Sequence, residues 1–319
     1  MAVEVRSEFI FENAPFAECH ASTIVETSEG DFLEAWFGGA REGSKDVAIW
    51  MARLSGGGWS APFEAARENG VPAWNPVLFR GRDERIWLFY KVGDSPETWT
   101  GAYKTSTDSG RTWSEPTYLP AGLLGPIKDK PILLASGDIV AGTSVESYRS
   151  WTAWVERSSD GGKTWTRHGP IAIPGEPFGL IQPTLVELAP ERLRAFMRSR
   201  QGFIYAADSS DGGRTWSPAR PTPLPNPNAG IDSVRLADGR ILIVYNNSKR
   251  QRTPLNVAIS SDGGESWSPF VVLENTLGEY SYPAVIQAAS GDVHITYTWK
   301  RKRIRHAVIA GAALAQHQK

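Results

Sequence analysis

Cysteine is almost absent from this 319-residue chain: Cys19 stands alone, so no internal disulfide can form and nothing calls for an oxidising compartment. Histidine is nearly as scarce, with His20, His168, His294, His306 and His317 scattered along the sequence and no paired ligand spacing, so no metal or other cofactor is expected. No apolar run approaches the length of a membrane span. The first dozen residues carry charges every few positions and no apolar core, so no signal peptide is visible and a cytoplasmic location is expected. The formal net charge of −1 gives no broad basic footprint, which argues against a nucleic-acid partner. The one basic run, Lys300-Arg301-Lys302, reads as a solvated hairpin. Nothing bears on oligomeric state.

What the chain has in quantity is glycine, tryptophan and repetition. An eight-residue phrase, Ser-x-Asp-x-Gly-x-x-Trp, occurs four times, from Ser106, Ser158, Ser209 and Ser260, and a worn fifth copy without the aspartate runs from Leu54 to Trp59. The tryptophans at 59, 113, 165, 216 and 267 are 51 to 54 residues apart. Such a step holds four short strands, and about six steps fill the chain. The sequence therefore predicts an all-β fold, a six-bladed β-propeller occupying residues 1–319 as one domain, with strand 304–309 sharing the last blade with the N-terminal stretch 3–11. In each phrase the aspartate can accept backbone N–H bonds, the glycine supplies positive φ and the tryptophan packs between sheets, so these aspartates read as turn formers.

A second regularity marks the start of each blade: a polar residue, usually followed by proline, opens an apolar strand. The six starts are His20, Asn75, Lys130, Gln182, Asp232 and Tyr282. The first strand of a propeller blade lines the central channel, so these residues are expected on one ring at one face. A structural repeat would converge on one residue type; six unlike polar groups at one mouth instead describe a site. Strands two and three return to that face and add Asp46, Arg198 and Arg252. Trp36, Trp74 and Trp99 lie near the rim, where blade packing competes with sugar stacking as their role.

The repeated phrase is similar to the Asp-box, or BNR repeat, and from about Phe11 to His306 the chain resembles the sialidases. The resemblance implies that Asp46 is the acid/base, Tyr282 the nucleophile, and Arg198 and Arg252 two members of a carboxylate-binding arginine triad. It also implies two departures: His20 occupies the place of the first triad arginine, and Gln182 that of the glutamate that activates the tyrosine. A sialidase-like exo-glycosidase acting on an acidic oligosaccharide is the function implied. Arginines would clamp the carboxylate, Asp46 would protonate the leaving oxygen, and a neutral phenol would attack the anomeric carbon. Lys130, read as lying beside Tyr282, would favour the phenolate; Asn75 and Asp232 complete the substrate-binding ring. Glu42 is a spare carboxylate that could serve as base in place of Gln182. Two further readings stand beside this one. A uronate-directed lyase would use Tyr282 or His20 to remove a proton next to a carboxylate, and a non-catalytic glycan- or protein-binding propeller would need neither Asp46 nor Tyr282.

Overall fold

The computed structural model describes residues 3–176 and 179–316. Six antiparallel sheets form a six-bladed propeller, with the sheets of blades 1 to 5 running in sequence order from the channel outwards. Blade 2 shows the plan: Ala73–Arg80 lines the channel, followed by Ile86–Val92, Thr100–Ser106 and the short outer strand Thr117–Tyr118. Blade 1 starts at Glu18–Glu26, blade 3 at Ile132–Leu133, blade 4 at Leu180–Ala189, blade 5 at Asp232–Arg235 and blade 6 at Tyr280–Gln287. Blade 6 takes its outermost strand from the other end of the chain: Val5–Phe9 pairs with Arg303–Ile309, so the ring closes by hydrogen bonds between the termini, as the sequence predicts.

The inner strands are buried along nearly their whole length because each sheet packs on both neighbours. Ile86, Leu88 and Tyr90 of blade 2 face Leu33, Phe37 and Met51 of blade 1, all nearly inaccessible to solvent. The four Asp-box phrases form the same turn between the third and fourth strands of blades 2 to 5. Asp160 Oδ1 accepts bonds from Lys163 N (3.0 Å) and Thr164 N (2.9 Å), while Ser158 Oγ receives Gly162 N at 2.8 Å. The boxes at Asp108, Asp211 and Asp262 repeat these lengths to about a tenth of an ångström. The aspartates are turn formers, held below the ordinary carboxylate range by their hydroxyl and backbone donors. Among the described residues no helix is long and apolar enough to cross a membrane.

Candidate active site

The turn that ends each first strand supplies an internal ruler. Its closing amide belongs to Thr27, Gly81, Leu134, Leu236 and Ala288 in blades 1, 2, 3, 5 and 6. Counting back six residues gives Ala21, Asn75, Lys128, Gly230 and Tyr282 as equivalents. At Ala21, Asn75, Gln182 and Tyr282 the ladder slips in a β-bulge and φ turns positive, at 59°, 40°, 55° and 53°. A bulge bends its strand and re-aims its side chain, and here it does so at the channel mouth in four blades.

The ruler places Asn75 and Tyr282 at equivalent positions, the bulge and positive φ place Gln182 with them, and three other expected positions shift. His20 precedes its ring position by one residue. Its imidazole nevertheless lies against the Tyr282 ring, with centroids 4.1 Å apart, and its Nδ1 is 3.0 Å from Thr298 Oγ1. Lys130 and Asp232 lie two residues past theirs, one layer deeper, where they pair with each other at 2.9 Å. Asp232 there accepts further bonds from Thr184 Oγ1 (2.8 Å) and Val285 N (2.8 Å), tying blades 3 to 6 together. Lys130 is therefore not the neighbour of Tyr282. That place belongs to Lys128, whose Nζ donates to Ile231 O (2.6 Å), Asp129 Oδ1 (2.7 Å) and Pro283 O, beside the Tyr282 ring. Proline misled the register: it follows the ring residue in blades 2, 4 and 6 but comes two residues later in blade 3.

Tyr282 is the centre of the site. Its hydroxyl receives Arg198 Nη1 at 2.7 Å and Gln182 Nε2 at 3.2 Å. Arg198 is itself held by Asn228 Oδ1 at 2.8 Å. Arg252 stands over the phenol ring at 5.7 Å and is fixed by Glu279 at 2.7 Å. The same Glu279 oxygen receives Arg301 Nε at 2.9 Å, and Arg301 Nη1 reaches Glu42. Burial raises the Glu279 carboxyl, but Arg301 and Arg252 together bring it below its ordinary range, so it stays ionised.

Arg301 corrects the reading of the basic run. Lys300 and Lys302 are solvated, whereas Arg301 turns inward, three-quarters covered, and brings a third guanidinium to the site. Glu42 is engaged by that guanidinium rather than by Tyr282. His20 is almost fully buried, and burial together with Arg301, Arg252, Arg198 and Lys128 drives its imidazole well below its ordinary value. It is a neutral base at pH 7, not a cation standing in for an arginine.

Asp46 lies on the exposed loop between the second and third strands of blade 1, where Oδ2 accepts Ala40 N at 2.9 Å. Asn75 spans two blades, donating Nδ2 to Ile127 O at 3.1 Å. Trp36 is buried beneath Phe11 and Phe16 and presents no sugar platform. Trp74 and Trp99 pack on each other, with centroids 5.7 Å apart. Sequence reasoning missed one more group. Glu146 ends the second strand of blade 3, the same phase that marks Arg198 in blade 4, and burial raises its carboxyl to about 7 against the opposing pull of Arg198. A carboxyl that titrates near neutrality at a channel mouth is suited to proton transfer.

A model of the BNR repeat-like domain matches residues 30–295. A sialidase from Bacteroides fragilis (strain YCH46) is 27% identical over 217 residues, covering 62% of this chain and 39% of that protein. A sialidase from Micromonospora viridifaciens is 26% identical over 218 residues, covering 60% and 32%. The chain thus matches about a third of the length of these curated relatives. Among solved structures, a protein of unknown function from Dyadobacter fermentans DSM 18053 superposes with a TM-score of 0.81 at 17% identity, over 96% of this chain and 99% of that one. The NanB sialidase of Streptococcus pneumoniae gives 0.78 at 13% identity, over 96% and 71%. At such identities the structural likeness establishes the fold.

Proposed function

The chain belongs to the BNR repeat-like family, a sialidase-like propeller, and from that premise we propose that it is a glycoside hydrolase acting on a carboxylate-bearing glycan, with Tyr282 as nucleophile. One observation carries this reading. Three guanidinium groups and a buried phenol share one channel mouth, and two hydrogen-bond donors, one of them cationic, aim at the phenol oxygen. Arg198, Arg252 and Arg301 would bind the carboxylate in charge-assisted bonds. Tyr282 Oη would attack the anomeric carbon while a carboxylic acid protonates the leaving oxygen; Asp46 and Glu146 are the two candidates for that acid.

Gln182 cannot accept the phenolic proton as a carboxylate would. In its place His20, neutral and packed against Tyr282, would act as the base, and Arg198 with Gln182 would stabilise the oxygen while it carries charge. The sialidase relatives favour a terminal sialic acid as substrate. The same neutral imidazole supports the second reading, elimination from a uronate. Screening wild type and Tyr282→Phe against sialosides and uronate oligosaccharides, with detection of reducing ends and of ultraviolet-absorbing unsaturated products, separates the two. Tyr282-dependent release of reducing ends without an unsaturated product is the expected result. An unsaturated product would establish the lyase, and turnover that survives Tyr282→Phe would remove the nucleophile assignment.

A further inference from the structure

Charge is arranged differently on the two faces of the disc. On the Asp-box face, opposite the mouth, arginines are matched with carboxylates: Arg53 with Asp31, Arg194 with Asp208 and Arg240 with Asp238, each at 3.1 Å or less. At the mouth, the hairpins that join second and third strands divide the rim in two. Those of blades 1 and 2 carry Arg41, Glu42, Lys45 and Asp46, then Asp94 and Glu97, with no excess of positive charge. The hairpin of blade 4 carries Arg200, that of blade 5 Lys249, Arg250 and Arg252, and that of blade 6 Lys300, Arg301 and Lys302, with no acidic residue in any of the three.

These three blades present their cations in two tiers. The inner tier is the set around Tyr282: Arg198 at the end of the second strand of blade 4, Arg252 and Arg301. The outer tier is exposed, and it rests on aromatic rings rather than on carboxylates. Arg200 Cζ lies 4.6 Å from the centre of the Trp151 ring, and Arg198 Cζ lies 5.9 Å from the same ring, so Trp151 joins the two tiers. Lys249 Nζ stands 3.8 Å from the centre of the Phe203 ring, and Lys300 Nζ 4.6 Å from that of Trp299. Lys302 is drawn aside to Glu18 at 3.5 Å, but Lys249, Arg250 and Lys300 make no ion pair among the described residues. A ring face positions a cation without cancelling its charge, so an unneutralised positive field borders the mouth on one side only.

Resting on the reading of the mouth as a carboxylate-binding glycan site, we propose that the outer tier over blades 4 to 6 binds further acidic residues of the same glycan. The substrate is then a chain of carboxylate-bearing sugars rather than one acidic residue capping a neutral chain. The inner guanidinium groups take the terminal carboxylate, and the carboxylates that follow lie along Arg200, Lys249, Arg250 and Lys300. Each exposed contact is weak and screened by salt, so the gain comes from several acting together on one chain. A single acidic sugar engages the inner tier alone. Single-stranded nucleic acid fits less well, because its bases need open ring faces for stacking, and cations lie over those of Trp151, Phe203 and Trp299.

Titration calorimetry on the full chain carrying Tyr282→Phe, which keeps the glycan uncleaved, tests this with a sialic acid tetramer and a galacturonate tetramer, each against the methyl glycoside of its monomer. One tetramer is expected to bind about 10-fold or more tighter than its monomer at about 20 mM salt, and within about 3-fold of it at about 500 mM, where the screening length falls to roughly 4 Å. Adding Lys249→Ser, Arg250→Ser and Lys300→Ser together should abolish the advantage and keep the monomer's affinity. Tetramers no tighter than a bound monomer, or equal losses for both in the triple variant, would overturn the outer tier and leave the inner one standing. Binding of neither would overturn both. A short single-stranded oligonucleotide that binds as tightly as the tetramer would also overturn the assignment, by showing a general polyanion face. Tetramer-selective binding without turnover by wild type would uphold the outer tier and remove the hydrolase.

Discussion

The two faces of the propeller are built on opposite rules. On the Asp-box face four blades repeat one turn with almost the same bond lengths, and its residues are the same because they do the same work. At the opposite mouth, equivalent positions hold Ala21, Asn75, Lys128, Gln182, Gly230 and Tyr282, no two alike. Sameness around a ring marks what the fold needs from every blade, and difference marks what a ligand needs from the ring as a whole.

Four substitutions sharpen that contrast. Tyr282→Phe should show the largest effect on turnover, about 10³-fold or more, because it removes the proposed nucleophile itself; thermal denaturation should stay near wild type. Asp232→Ala should cost about 2–4 kcal/mol of stability, measured by urea unfolding, because it leaves Val285 N and Lys130 without their buried carboxylate. If it altered only KM, Asp232 would belong to the substrate ring after all. Arg301→Ala should raise KM about 10–100-fold for a carboxylate substrate, and leave hydrolysis of a neutral analogue unchanged. Asp211→Ala should lower stability by about 1 kcal/mol, at the small end because the turn faces solvent, and leave kcat unchanged.

The box turns also set a pH signature. Hydroxyl and backbone donors hold Asp211 and Asp262 at about 2 in the folded chain against the raising effect of partial burial. Depressed carboxylates stabilise the folded state above the unfolded value near 4, and that stability is lost as pH falls towards 2. The melting temperature should drop across that window, and less so in Asp211→Ala. An equal drop in the variant would place the acid sensitivity elsewhere.

The fold was legible because a turn that must form four times leaves the same eight letters four times. The site was legible where a local mark accompanies the geometry: Asn75, Gln182 and Tyr282 are followed by proline at the bulge. Blades 1 and 5 lack that proline and blade 3 carries it two residues late, so His20, Lys130 and Asp232 slipped by one or two positions. Arg301 was hidden in a basic run whose flanking lysines are solvated, because composition does not tell which member of a hairpin turns inward. Glu146 was within reach, since the end of the second strand that points to Arg198 in blade 4 points to Glu146 in blade 3.

In the proposed mechanism Tyr282 forms the covalent bond to the sugar. Incubation with an activated fluorosugar that carries a carboxylate, followed by intact-mass and peptide analysis, tests it directly. One adduct per chain on the peptide containing Tyr282 is the predicted result; glycoside turnover with no adduct, or an adduct on another residue, would contradict it.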